Sequence, residues 1–245
     1  AVTHSFATIA TGGFSTKNLS VAHYNSLAVE TVIMIFMFLS GANFGLLFLA
    51  VSGQIGALIR SAVFRYYAMA LAAGVLLTAV HLHGTVYADW AGALRYGSFQ
   101  ILSVATSTGF ATADSNLWPP FAQLILLFFI LQGACSGSTS GGIKADRIVL
   151  LWHSLTKRIK KIEHPHAVIK AKIDGMAIDE DMLEASLLFT VLYIAIVFIS
   201  SALLCLLGVD AMTAFSGAAT TMGNVGPGFG LVGSMSNFAE IPEMG

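Results

Sequence analysis

Long stretches of this chain carry no Asp, Glu, Lys or Arg, and the short polar segments between them divide it into blocks. Residues 31–59, 66–88, 115–143 and 185–209 are free of charge, and each meets the roughly 20 apolar residues a helix needs to cross a bilayer. Four crossings are expected. A fifth charge-free run, 211–239, holds Gly217, Gly223, Gly226, Gly228, Gly230 and Gly233 with Asn224 and Pro227, which is poor material for a continuous helix. It predicts a short re-entrant helix over about 211–222, followed by an irregular loop.

Three times an apolar stretch gives way to a short uncharged turn of small residues, and the three turns align. They read Ala10-Thr11-Gly12-Gly13-Phe14-Ser15-Thr16, Thr106-Ser107-Thr108-Gly109-Phe110-Ala111-Thr112 and Gly223-Asn224-Val225-Gly226-Pro227-Gly228, with Gly13, Gly109 and Gly226 in register. This is an internal repeat. Within a bilayer the carbonyls of such turns must face protein, water or an ion rather than lipid, so an ion pathway is the leading functional expectation. A lone Thr-Gly-Gly-Phe is more often an ordinary helix connection than an ion site; three copies in register, at matched depth and on one side, reverse that reading.

Composition fixes the class. The chain is 56% hydrophobic and 10% charged, with a mean hydropathy of +0.79, too little polar material to solvate a globular surface. Cys135 and Cys205 lack metal or redox spacing and read as buried small residues. Of the 12 basic residues, Lys144, Arg147, Lys157, Arg158, Lys160, Lys161, Lys170 and Lys172 fall between the third and fourth crossings, and Arg60 and Arg65 between the first and second. By the positive-inside bias both connections are cytoplasmic. The aligned turns, near Asp89, Asp114 and Asp210, then enter from the outer face.

The predicted fold is an all-α polytopic membrane protein built from repeats of crossing helix, re-entrant helix, turn and crossing helix. Residues 1–59 hold the end of one unit, with a crossing helix over about 28–57. Residues 60–144 hold a whole unit, with helices over about 66–86, 95–105 and 120–132. Residues 145–182 form a basic cytoplasmic connection, and 183–245 begin another unit with a helix over about 183–207. On this reading the chain is a fragment that starts inside a re-entrant segment and lacks the closing helix of its last unit.

The residues Thr11 to Thr16, Ser103-Val104-Ala105-Thr106-Ser107-Thr108-Gly109-Phe110-Ala111-Thr112-Ala113-Asp114 and Asn224-Val225-Gly226-Pro227-Gly228-Phe229-Gly230 resemble the second, third and fourth filter turns of the Trk/Ktr/HKT superfamily of potassium transporters. A further stretch, Gly133-Ala134-Cys135-Ser136-Gly137-Ser138-Thr139-Ser140-Gly141-Gly142-Ile143-Lys144, is similar to that family's intramembrane gating loop. His164-Pro165-His166-Ala167-Val168 looks like its Trk branch, the TrkH/TrkG-type uptake proteins. The resemblance implies four units around one pseudo-fourfold, K+ channel-like pore in a bacterial inner membrane. It also implies a homodimer and a cytoplasmic nucleotide-binding regulatory subunit. The implied function is that of a pore-forming potassium uptake subunit, not an enzyme, with K+ as the transported ion, membrane lipid around it, and no organic cofactor or nucleic acid. A Na+-permeable or ion-coupled relative, or a non-transporting scaffold subunit, are the alternatives.

Filter chemistry explains the residue types, because a ring of backbone carbonyls can replace the hydration shell of K+ and glycine allows the dihedrals that aim them. The carbonyls of Thr11, Gly12, Gly13, Ser107, Thr108, Gly109, Asn224, Val225 and Gly226 are assigned to this role, with Ala10, Thr106 and Gly223 at the inner edge. Glycine at all three aligned positions favours K+ over Na+, since the resemblance associates serine there with Na+ permeation. The loop 133–142 interrupts an apolar run with glycine and serine, as a gate beneath the filter or as a loosened helix end.

Several other residues have competing roles. Lys144 is open to anchoring that loop or to starting the basic cluster. Asp114 is open to two roles, attracting cations at the outer mouth or capping the next helix. The run 152–172 reads as an amphipathic surface helix, near anionic lipid or a regulatory partner, or as a topology determinant alone. Asn43, a polar residue in the first crossing, is expected to make a structural hydrogen bond between helices. His81, His83, His153, His164 and His166 lack metal-ligand spacing.

Overall fold

The computed structural model describes residues 1–164, 172–236, 239, 241 and 242; the expectations for Pro165, His166, Ala167, Val168 and Lys170 lie outside the described residues. Ten helices are described: α1 (Val2–Ile9), α2 (Leu27–Ser40), α3 (Phe44–Val51), α4 (Ile55–Arg60), α5 (Ala62–Leu82), α6 (Trp90–Ala105), α7 (Pro120–Gln132), α8 (Ala145–Glu163), α9 (Glu180–Leu206) and α10 (Ala211–Met222). Short 3-10 turns occur at Ser20–Tyr24, Ser115–Leu117 and Gly230–Val232. A minimal antiparallel hairpin, β1 (Lys172–Ile173) and β2 (Met176–Ala177), lies between α8 and α9. Asp174 at its tip accepts the amide N–H of Ala62 at 2.9 Å, tying the connection to the start of α5.

Among the described residues two helices, α5 and α9, are long and apolar enough to cross a membrane unbroken, with mean hydropathies of 1.6 and 2.6 over their most apolar windows. Helix α9 buries only Ser186, Tyr193, Val197 and Ser201, spaced to fall on one face. Its apolar remainder is exposed, as expected of a helix solvated by lipid, where small and hydroxylic residues make the helix contacts. Cys205 lies on the exposed side, contrary to the expectation that both cysteines are buried, while Cys135 is buried.

The other two charge-free runs are broken. The first bends by 106° between α2 and α3, where a continuous helix over about 28–57 was expected. The cause is local: Asn43 has an extended backbone and its side chain accepts the N–H of Leu46 at 3.0 Å, starting a new helix. The third run is helical only through α7, continues through the irregular segment 133–144, and resumes as α8. Helix α8 lies antiparallel to the first half of α9: the Arg147 guanidinium stacks over Phe189 at 3.7 Å, and Lys157 pairs with Glu180 at 2.6 Å. The half-buried lysine holds the exposed Glu180 carboxyl below its ordinary range.

The re-entrant helices pack where the repeat requires. Helix α6 lies against α5 and α10 against α9, the most extensive pairings in the fold, while α6 also meets α2 and α10 meets α7. One core joins Tyr67, Leu71, Ile101, Leu126, Phe129 and Val197; a smaller one gathers Ala7, Ile33, Met37, Phe99 and Phe110 between α1, α2 and α6. Aspartates begin two of the re-entrant helices: Asp89 accepts from the N–H of Gly92 at 2.8 Å, and Asp210 from Met212 and Thr213 at 3.0 and 3.1 Å. The hydrogen bonds from Thr213, with that from Met212, hold the Asp210 carboxyl below its usual range. Asp114 accepts the N–H of Asn116 at 3.0 Å and starts the 3-10 turn before α7, the capping role of the two open to it.

Candidate functional site: three aligned turns and the loop against them

Each short helix α1, α6 and α10 ends in the same backbone arrangement. The N–H groups of Thr11, Ser107 and Asn224 bond back to Thr8, Val104 and Thr221, and those of Gly12, Thr108 and Val225 to Ala7, Ser103 and Thr220, at 2.8–3.2 Å. These are three Schellman motifs in register. Their left-handed residue is not glycine: Thr11, Ser107 and Asn224 have φ of 49°, 57° and 52°. Two residues later Gly13, Gly109 and Gly226 return to positive φ, at 64°, 79° and 100°. The repeat seen in the sequence is thus a repeat of backbone geometry, and it includes a strained non-glycine position that the sequence pattern did not reveal.

The turns also pack against one another in a constant sense. A Cβ on Gly13 would collide with the Thr108 carbonyl oxygen, and a Cβ on Gly109 with the Val225 carbonyl oxygen. Gly13 and Gly109 therefore each face the residue that precedes the next aligned glycine, a head-to-tail relation of the kind that closes into rings. Thr106 and Thr108 are fully buried and their hydroxyls are 2.8 Å apart. Beyond the glycines, side chains from the re-entrant helices fix the exit: Ser103 donates to the Phe110 carbonyl at 2.6 Å and Thr220 to that of Pro227 at 2.9 Å. Between these pins, no N–H or O–H among the described residues donates to the carbonyl oxygens of Thr11, Gly12, Gly13, Ser107, Thr108, Gly109, Asn224, Val225 or Gly226. Thr11, Ser107, Thr108 and Val225 are buried, while Gly12, Asn224 and Gly226 are exposed; for the buried four an unmatched carbonyl is unusual. Each turn follows a helix C-terminus, whose dipole favours positive charge.

Segment 133–142 lies against the inner ends of all three turns. Thr139 donates its hydroxyl to the Ile9 carbonyl at 3.3 Å, the Gly141 N–H donates to the Ser107 hydroxyl at 3.2 Å, and a Cβ on Gly141 would collide with the Gly223 carbonyl oxygen. The segment is internally ordered: Ser138 donates to the Cys135 carbonyl at 2.6 Å, and Ser140 accepts the Ala134 N–H at 3.2 Å. Its two ends meet, because Ile143 and Lys144 donate back to Leu131 and Gln132 at 3.0 and 2.6 Å. Gly133, Gly137 and Gly142, with φ of 66°, 74° and 81°, make this closed loop sterically feasible. Lys144 itself has φ 75° at the head of α8. The loop is therefore not the loosened end of a helix.

Three contacts around the site were not read from the sequence. Asp146 accepts the N–H of Ser136. Tyr66 donates to the Gln132 amide oxygen at 2.8 Å, just before the loop. Glu30 on α2, 1% exposed, accepts both the Nε and the second guanidinium nitrogen of Arg95 on α6 at 2.7 Å. The usable signal for this pair was a lone Glu and a lone Arg in otherwise apolar helices, which rarely stay unpaired. The histidines make ring contacts: His81 is edge-on to Phe121 at 5.3 Å, and His83 stacks on Trp90 at 4.1 Å.

Known proteins share this architecture. A family model described as "TrkH: Cation transport protein" matches residues 1–245. The chain is 37% identical over 243 residues to the Trk system potassium uptake protein TrkH of Salmonella typhimurium, covering 98% of this chain and 50% of that protein. It is 30% identical over 235 residues to the TrkG protein of Escherichia coli, covering 96% and 48%. The crystal structure of the potassium transporter TrkH from Vibrio parahaemolyticus matches with a TM-score of 0.87 and 33% identity over 94% of this chain and 50% of that one. The chain thus spans about half the length of the relatives it matches. Apolar crossing helices and these matches together make it a multi-pass inner-membrane protein, and the chain belongs to the TrkH family of cation transport proteins.

Proposed function

We propose that this chain supplies three of four filter segments of a potassium uptake pore, with the carbonyls of residues 11–13, 107–109 and 224–226 taking the place of water around K+. The observation that carries the reading is the set of unmatched carbonyls on three identical helix-terminal turns packed head to tail. The family resemblance supplies the rest: a further turn beside Gly226, which has no neighbour within 4 Å of its Cβ position, a homodimer, and a cytoplasmic nucleotide-binding partner. Glycine at each aligned position favours K+ over Na+, and nothing in the site is arranged for covalent chemistry.

The test is ⁸⁶Rb+ uptake by the full-length protein in liposomes with K+ and Na+ as competitors. Uptake suppressed by K+ and not by equal Na+ is expected. No flux from folded protein would leave the scaffold reading, and equal suppression by both ions would remove the selectivity assignment.

In the same proposal the loop 133–142 is the gate. It is held by hydrogen bonds against the inner side of the turns, where an ion leaving the filter would pass. Deleting Gly137 to Thr139 is expected to raise basal ⁸⁶Rb+ uptake several-fold. Unchanged or lower flux in folded protein would remove the gating role.

A further inference from the structure

The elbow between α2 and α3 interrupts a crossing helix in an apolar environment, where exposed backbone polar groups are costly. Its freed groups are satisfied by the loop 133–142. The Gly41 carbonyl accepts the Cys135 N–H at 3.0 Å, and the Phe44 N–H donates to the Gly137 carbonyl at 3.0 Å. Between them, Asn43 donates its side-chain N–H to the Ser136 carbonyl at 2.8 Å while its amide oxygen caps α3. One asparagine thus joins two segments 93 residues apart and orders both.

Beyond the elbow the chain is loosely held. Neither α3 nor α4 buries a side chain, and α3 packs chiefly on α4, which rests on the start of α5. Phe48 and Val51 are largely exposed. Segments with few buried contacts are those that move at low cost, so the tightest specific attachment of this arm is to the loop under the filter.

We infer that Asn43 is a positioning residue that couples the α3–α4 arm to the loop 133–142, so that swinging the arm about the elbow withdraws the loop from the turns. This rests on the loop being the gate. Asn43→Ser isolates the coupling: a serine hydroxyl can still cap α3, is too short to reach the Ser136 carbonyl, and adds no charge near a cation path.

In the full-length protein in liposomes, N43S is expected to raise basal ⁸⁶Rb+ uptake several-fold in protein that stays folded with only a small fall in unfolding temperature, a gain that mere loss of structure would not produce. The Gly137 to Thr139 deletion serves as the reference. A rise in the deletion without one in N43S overturns the coupling and leaves the gate standing; no rise in either removes both. Hydrogen exchange in the unmodified protein gives a second readout. The Phe44 and Cys135 amides, which bond in opposite directions across the elbow, are expected to exchange in one event with the Ile143 amide. Independent exchange of Phe44 would overturn the coupling even if N43S failed to fold.

Discussion

Replacing Gly109 by Ser in the full-length protein is expected to cut K+ uptake and to reduce discrimination against Na+, because one added carbon acts twice at the filter. Gly109 has φ +79°, a conformation that costs an L-residue about 1–2 kcal/mol. A Cβ there would also collide with the Val225 carbonyl oxygen and come within 3.2 Å of the Pro227 ring. Since both neighbours are backbone or a fixed ring, the strain falls on a carbonyl assigned to the ion. Uptake should fall at least about tenfold, the change that about 1.4 kcal/mol in a barrier produces. Gly208→Ala separates conformation from contact: Gly208 has φ +91° with nothing within 4 Å of its Cβ position, so this substitution should lower stability and leave the K+/Na+ ratio alone. A G109S protein with wild-type uptake and selectivity would show that these carbonyls do not line the path.

Legibility in the sequence followed the physics of each feature. The re-entrant helix α10 spans Ala211–Met222, as charge and glycine placement indicated, because both boundaries are marked by residues with strong local preferences: an Asp cap and a Gly stop. The aligned glycines were visible because the repeat preserves them where φ must be positive. The left-handed Thr11 and Ser107 were hidden, since nothing in their chemistry announces that conformation; Asn224 alone is of a residue type that adopts it readily. The break at Gly41–Ala42–Asn43 was hidden for a different reason. Hydropathy measures composition, and the run stays apolar through the elbow; Asn43 starts a new helix there, and the loop some ninety residues later supplies the partners that make the break tolerable. A charge-free run therefore reports burial in the membrane and says little about whether the backbone within it is continuous.

The Glu30–Arg95 pair should produce the largest loss of stability from a single side chain. Glu30 is 1% exposed and its partner's side chain 23%, and both carboxylate oxygens are engaged at 2.7 Å. Arg95 also reaches the Asn25 amide oxygen at 3.0 Å, so three elements meet at one guanidinium. Removing one member of such a pair typically costs about 3–5 kcal/mol, because the other is left charged and buried. Arg95→Ala should therefore cost more than Glu30→Ala, since Glu30 is the deeper group and the orphaned arginine would keep Asn25. The double variant should be less damaging than the two single losses added together, as contact between the sites requires. Thermal unfolding of the four proteins in detergent measures this, and additive losses would mean that the pair contributes no coupling. On the proposed function the consequence extends to the filter, because the pair fastens α6, which leads into the turn at Thr106, to α2. Glu30→Ala combined with Arg95→Ala should thus recover much of the stability and still widen Na+ entry, since removing the orphan charge does not restore the fixed spacing between neighbouring turns.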